Sequence, residues 1–348
     1  MKIAVLAPPY LPVPPVGYGG TEKIISQLTE GLVKKGHQVT LFATGDSQTK
    51  AKLVSVFAKA IGNSGLAKGD ALLPLLHYKE CFQKAREFDI IHNHGQYLAM
   101  FLAEFSPTPV VHTIHGSYYE GEVPQEKRKV LSAFRHHKFV SISDNQRGGF
   151  PELNYVDTVY NGLDISKYTY NEKPRGDYLL WVGRIVEKKG PQVAINVAKK
   201  LNMPLVIAAT VDPVDKPYFD SVIKPEIDGK LIQFTGELQH DSLNSLYGNA
   251  YCTLFPITWH EPFGLVMIES MATGTPVVAY NFGSVPEVIK DGKTGFVVND
   301  ADKMIEAIEK VGQIKRIDCR KRVEDKFSAE RMVEGYERVY KKILASRY

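Results

Sequence analysis

Cysteine is scarce in this sequence, with three among 348 residues, at Cys81, Cys252 and Cys319. They are far apart and odd in number, so they suggest neither a disulfide framework nor a metal-binding spacing, which fits a reducing compartment. Long apolar runs are missing too. No stretch approaches the roughly 20 residues that a membrane-spanning helix needs. The segment from Lys2 to Ala7 is too short for a signal-peptide core and runs straight into prolines. It reads as the first strand of a cytoplasmic protein. Charge of one sign is also in short supply. A net charge of +4 is too small to argue for nucleic acid, and no basic stripe or aromatic platform stands behind such a reading. It stays compatible with an anionic substrate or a membrane surface.

What is present is the make-up of a globular protein, 44% hydrophobic and 24% charged, long enough for two ordinary domains. Short apolar runs alternate with amphipathic segments, the pattern of parallel sheets covered on both faces, so the expected fold class is α/β. After the first strand, Tyr18-Gly-Gly-Thr-Glu-Lys23 is a glycine loop opening a helix with the stripe Ile24, Ile25, Leu28, Leu32 and Val33. Further strands are expected from Gln38 to Ala43, Ile90 to His92, Val110 to Thr113 and Phe139 to Ile142. Ligands of such sheets bind beyond the carboxyl ends of the strands. Gly19, Gly20, His94, His115 and Ser143 all fall there. The glycine pair lets a phosphate or sugar approach the backbone closely, ahead of a helix N-terminus. His92, His94, His112 and His115 suggest metal ligation, but no carboxylate or cysteine cluster completes a shell, so no metal is expected. His92 and His112 read as packing residues.

In the second half, Asn161-Gly162 is a turn former and the polar stretch from Ser166 to Asp177 reads as a linker. A fresh doubly wound domain starts with the strand from Tyr178 to Val182. The loop from Gly183 to Gly190 opens a helix, and strands are expected from Pro204 to Ala208, Leu231 to Phe234, Tyr251 to Phe255, Pro276 to Tyr280 and Thr294 to Val298. The stretch Trp259-His-Glu-Pro-Phe-Gly-Leu-Val-Met-Ile-Glu269 holds the most specific signal. Pro262 and Gly264 punctuate a loop, Leu265 to Ala272 reads as a helix, and Gly274 sits where a C-cap belongs. A residue before proline avoids helical dihedrals, so Glu261 belongs to the loop, while Glu269 lies more than a turn inside the helix. Two carboxylates therefore serve different tasks around one anion-attracting terminus.

This loop and helix resemble the signature of the retaining, nucleotide-sugar-dependent GT-B glycosyltransferases, in particular family 4, whose paired glutamates with seven residues between them match Glu261 and Glu269. Gly183-Arg-Ile-Val-Glu-Lys-Lys-Gly190 resembles the same family's diphosphate motif, and Thr158-Val-Tyr-Asn-Gly-Leu-Asp164 its end of the first domain. The resemblance covers essentially the whole chain. It implies two facing Rossmann-like domains with a cleft between them, residues 1–165 on the acceptor side and 166–330 binding the donor, with the helix of residues 331–348 crossing back to the first. It implies that Arg184 and Lys189 grip the donor diphosphate. Glu261 and the backbone of Phe263, Gly264 and Leu265 would bind the transferred sugar, and Glu269 the ribose. Gly19 and Gly20 would lie beneath the diphosphate, and His115 would hydrogen-bond the donor sugar. The backbone near Glu237 and Leu238 would meet the base.

No cofactor is implied, since the nucleotide sugar is a substrate, and no metal. UDP-glucose is the first donor expected from family frequency. The acceptor, a small molecule, glycan or lipid-linked group, would meet the loops from Pro8 to Tyr18 and Gly116 to Val123. Some family members rest a basic helix on anionic lipid. Here Lys127, Arg128, Lys129, Arg135 and Lys138 flank Val130, Leu131 and Phe134 in a segment expected to be helical from Gln125 to Lys138. Peripheral contact at the inner membrane face is thus an alternative to a solvated surface. The rival functional readings are a sugar phosphorylase or nucleotide-sugar hydrolase on the same fold, and a non-catalytic nucleotide-sugar binder.

Overall fold

The first sheet of the chain is built from seven short parallel strands: β1 (Lys2–Leu6), β2 (Gln38–Phe42), β3 (Lys52–Val54), β4 (Ile90–Asn93), β5 (Val110–His112), β6 (Lys138–Ser141) and β7 (Tyr155–Thr158). Their spatial order is β3-β2-β1-β4-β5-β6-β7, every pairing parallel. Central strands such as β4 are buried along their whole length, polar His92 and Asn93 included, as strands of a parallel sheet covered on both faces are. The computed structural model describes residues 1–62 and 71–346.

A second sheet holds β8 (Leu179–Arg184), β9 (Leu205–Thr210), β10 (Ile232–Gly236), β11 (Cys252–Phe255), β12 (Val277–Tyr280) and β13 (Gly295–Val298), in the order β10-β9-β8-β11-β12-β13 and again all parallel. Each sheet has its own core. Leu179, Trp181, Ile195, Ile207 and Leu254 are among the buried residues of the second, and Leu6, Phe42, Tyr78 and Ile91 of the first.

The chain divides into two units, residues 1–162 with everything from Ala329 onward, and Leu163–Ser328. The helix Ala329–Ala345 belongs to the first unit, where it packs on the helix Gly20–Lys34. Gly31 permits the close approach: a Cβ there would meet Val333 Cγ2 at 2.4 Å. Glu337 accepts from Lys35 at 2.7 Å and bonds His37 at 2.8 Å, while Tyr340 bonds His92 at 2.7 Å.

The stretch from Ser166 to Asp177, which reads as a linker, is instead held against the second unit. Tyr168 is buried, Asn171 N–H donates to Thr273 O, and Arg316 and Arg320 donate to the carbonyls of Asn171 and Tyr168. Two arginines capturing backbone carbonyls are invisible to composition. The basic helix is also shorter than expected. It spans Gln125–Ala133, because the chain turns at His136-His137 and Lys138 opens β6. Arg128 points inward, donating to Gly149 O and lying 4.7 Å over the Phe150 ring.

Candidate functional site

Sheet order locates the chemistry. In an open parallel sheet, the place where strand order reverses leaves a crevice at the carboxyl ends. In the second unit the reversal falls between β8 and β11, and the loops leaving those two strands carry Arg184, Lys189 and Glu261.

Two glycines bring these loops together. Gly190 is left-handed (φ +70°), and a Cβ on it would lie 2.1 Å from Pro256 O, so the β8 loop presses on the β11 loop. Gly283 (φ +56°) lies against the backbone of Glu261, where a Cβ would meet its nitrogen at 2.4 Å. Ser284 N–H donates to Glu261 O at 3.0 Å, and Ser284 Oγ donates to Phe263 O at 2.7 Å. The Glu261–Phe263 backbone is thus clamped from below.

On this support Lys189 Nζ forms an ion pair with Glu261 Oε2, with side-chain exposures of 19% and 11%. The Lys188 ammonium sits 3.9 Å from the centre of the Trp259 ring and that of Lys189 at 5.3 Å, so the indole packs beneath both cations. Arg184 Nε pairs with Asp215 Oδ2 at 3.0 Å, from the turn after β9. Gly264 (φ +77°) caps the helix Leu265–Ala272, whose first N–H groups have no acceptor within the helix. Phe263 has its ring in the core, edge-on to Phe327 at 5.8 Å.

Glu269 lies deeper. Its Oε1 accepts from Tyr168 OH at 3.3 Å and its Oε2 from Tyr247 OH at 3.2 Å. Burial, reinforced by the adjacent carboxylate charge, pushes both phenols well above their ordinary pKa, so they stay donors at any working pH.

In the first unit the order reverses between β1 and β4. Gly19 stands just before the helix Gly20–Lys34, with no room for a Cβ beside Pro15 (2.6 Å). His94 Nδ1 and His115 Nε2 are 2.9 Å apart with their rings stacked. Burial lowers the pKa of His115 to about 4, so it is neutral near pH 7. His94 Nε2 has no partner among the described residues. A buried N–H without an acceptor costs more than an idle lone pair. His94 therefore donates from Nδ1 to His115 Nε2, and His115 keeps its own proton on Nδ1 as a donor. His92 sits behind them, its Nε2 bonded to Thr113 Oγ1 at 2.9 Å and its pKa lowered to about 3 by burial.

Comparison with known proteins then settles the family. The model described as "Glycosyl transferases group 1" matches residues 165–325, and that described as "Glycosyltransferase Family 4" matches residues 18–167. The chain is a GT-B glycosyltransferase of the family 4 type. Among its relatives is a glycogen synthase of Mycobacterium tuberculosis, 28% identical over 81% of this chain and 79% of that protein. Similar solved structures include a sucrose-phosphate synthase from Thermosynechococcus elongatus (TM-score 0.83, 19% identity, 99% of this chain and 100% of the other). HepE of Anabaena in complex with UDP-glucose is another (TM-score 0.74, 16% identity, 99% and 100%).

In this glycosyltransferase the structure brings Lys189 to Glu261 and sets both beside the Leu265 helix, whereas Arg184 pairs with Asp215 and Glu269 with two tyrosines. Sequence reasoning did not find Tyr168, Tyr247, Asp215, His94's part behind His115, or the seat that Gly283 gives Glu261. Only Gly283 carried a local signal, a glycine-serine pair at a turn before a helix.

Proposed function

We propose that the protein is a retaining, metal-independent hexosyltransferase that moves a sugar from a nucleoside diphosphate sugar, UDP-glucose first among candidates, to an acceptor hydroxyl. The observation that carries this reading is the Lys189–Glu261 ion pair at the carboxyl ends of β8 and β11, beside the open N-terminus of the Leu265–Ala272 helix. Donor binding by the structural neighbour solved with UDP-glucose supports the substrate class.

Breaking the glycosidic bond leaves charge on a diphosphate, and no cofactor is needed if fixed dipoles and cations receive it. The helix amides, the Arg184 guanidinium and the Lys189 ammonium take that part. Glu261, with the backbone of Phe263 to Leu265, binds hydroxyls of the transferred sugar, and Lys189 holds its carboxylate in place. Glu269, its orientation set by Tyr168 and Tyr247, accepts from the ribose hydroxyls. His115 offers its Nδ1–H to the donor sugar, and Gly19-Gly20 gives the diphosphate a close backbone approach. Attack comes on the face the leaving group departs from, with the diphosphate taking the acceptor's proton.

No helix among the described residues is long and apolar enough to cross a membrane. Cytoplasmic residence belongs to the same proposal, with peripheral contact at the inner membrane face through the exposed Lys127, Lys129 and Arg135. A screen of slow donor hydrolysis across UDP-, GDP- and ADP-sugars tests the function. One nucleotide sugar turned over far above the rest supports it, and none turned over, with or without acceptors, sinks it.

A further inference from the structure

Away from the loops that carry Gly19, His94 and His115, at the amino ends of β5 and β6, three ligating side chains converge. Glu104 is the residue that ends the helix Leu98–Ala103, and His136 and His137 form the turn before β6. His136 Nε2 lies 3.1 Å and His137 Nε2 2.7 Å from the same oxygen, Glu104 Oε2, and the three ligand atoms all lie within 4.8 Å of one another. Ligand atoms about 2.0–2.1 Å from a tetrahedral zinc ion stand roughly 3.3 Å apart, so the two imidazoles need to draw back from Glu104 Oε2 by only about 0.2 and 0.6 Å to admit one.

We propose that Glu104, His136 and His137 form a binding site for a divalent transition-metal cation, and Zn2+, which accepts two imidazoles and a carboxylate with an open fourth position, is the ion that probes it. Both imidazoles point their Nε2 atoms at one carboxylate oxygen, although adjacent residues in a turn have no local reason to aim together. The site also has an outer shell. His137 Nδ1 is 3.1 Å from His112 Nε2, His112 Nδ1 is 2.8 Å from Asn93 Nδ2, and Asn93 Oδ1 accepts from Gly95 N–H at 2.7 Å. Metal-bound histidines are held through their second ring nitrogen in this way.

That shell has a direction, and the direction has a consequence. Without a cation the Asn93 amide donates to His112, His112 donates from Nε2 to His137 Nδ1, and His137 donates from Nε2 to Glu104. A cation at His137 Nε2 takes the place of that last proton. His137 then carries its proton on Nδ1 and donates back to His112 Nε2, His112 carries its own on Nδ1, and the Asn93 carboxamide turns over to accept it, giving up its bond to Gly95. Each neutral ring keeps one proton throughout, so zinc binding exchanges both tautomers and reorients a buried amide without net proton release from this pair. A pocket of about 330 Å³, lined by Thr108, Lys138 and Ser346 among others, adjoins the three ligands and leaves a fourth position open to water. Bound zinc would tie the end of the Leu98–Ala103 helix to the turn before β6, so its effect is on stability and not on sugar transfer.

The test uses the full chain without an affinity tag, stripped of metal and titrated with Zn2+ against a chromogenic chelator. One equivalent is expected to bind and to raise the melting temperature. Glu104→Gln and His136→Gln remove ligands whose side chains are 37% and 59% exposed, so folding is preserved. Each should weaken binding by roughly tenfold or more, and the double variant should lose the zinc-dependent rise in melting temperature. His112→Gln should weaken binding by about tenfold through the outer shell alone. Absence of saturable Zn2+ binding by the unaltered chain overturns the proposal. So does binding that the double variant retains in full, because the ion would then be held elsewhere.

Discussion

Replacing Lys189 by methionine separates what the Lys189–Glu261 pair does for folding from what it does for sugar transfer. The change keeps the apolar stem over Phe255 and Trp259 and deletes the ammonium, leaving the Glu261 carboxylate 11% exposed with its ion-pair partner gone. Breaking a buried pair from one side costs about 3–5 kcal/mol. Residual solvent contact on both partners discounts that to about 2–3 kcal/mol here. For a unit of this size the melting temperature should fall by roughly 4–12 °C. The double variant Lys189→Met, Glu261→Gln removes the stranded charge as well, and should recover most of that loss. Turnover should behave differently. Either single change removes a group acting on the reacting sugar or its leaving group, so kcat/KM should drop by about 10²–10³-fold, and the double variant should stay inactive. Scanning calorimetry paired with a donor-turnover assay on the four proteins closes the cycle. A double variant that regains activity along with stability would show the pair to be merely structural, and a single variant unchanged in both would remove it from the site.

Glu269→Gln keeps a carbonyl oxygen for one tyrosine hydroxyl but loses the charge, and calorimetric titration with the cognate nucleoside diphosphate should show weakened binding with little change in stability. Gly283→Ala forces a Cβ into the Glu261 backbone from a left-handed conformation, and should cost about 1–3 kcal/mol in chemical denaturation together with most of the turnover. Acid should destabilise the first unit through its histidines. The folded pKa values of His115 (about 4) and His92 (about 3) lie below the ordinary 6.5, so the unfolded chain binds more protons between those values. Stability is complete above pH 6.5 and falls on acidification at about 1.4 kcal/mol per pH unit for each histidine, continuing down to pH 4 for His115 and pH 3 for His92. Denaturation midpoints at pH 7.5 and pH 5.5 check the slope, and equal midpoints would mean that these rings are already solvated.

The central strands and the motif loops were legible in the sequence because both are written locally. β1, β4, β8 and β11 are each built around adjacent buried apolar residues, and Gly190 and Gly264 mark turns by composition alone. The strands that escaped notice are edges. β3 and β7 have one neighbour each and are only partly buried, so they carry no apolar run. Site partners from distant segments escaped for a different reason. Tyr168 reaches Glu269 across 101 positions and Tyr247 across 22, and neither hydroxyl belongs to a recognisable pattern. The same holds for Glu104, 32 positions from His136. The four histidines weighed as ligands lie on or just beyond β4 and β5, and the pair that meets a carboxylate lies in a turn that read as helix.

The most direct test of the account is the anomeric configuration of the first product, followed by NMR in buffer free of magnesium and manganese. A diphosphate leaving group received by peptide dipoles, Arg184 and Lys189 predicts a product with the donor's own configuration, formed at a rate that added Mg2+ or Mn2+ does not raise. An inverted product, or no product until a divalent ion is supplied, would contradict it.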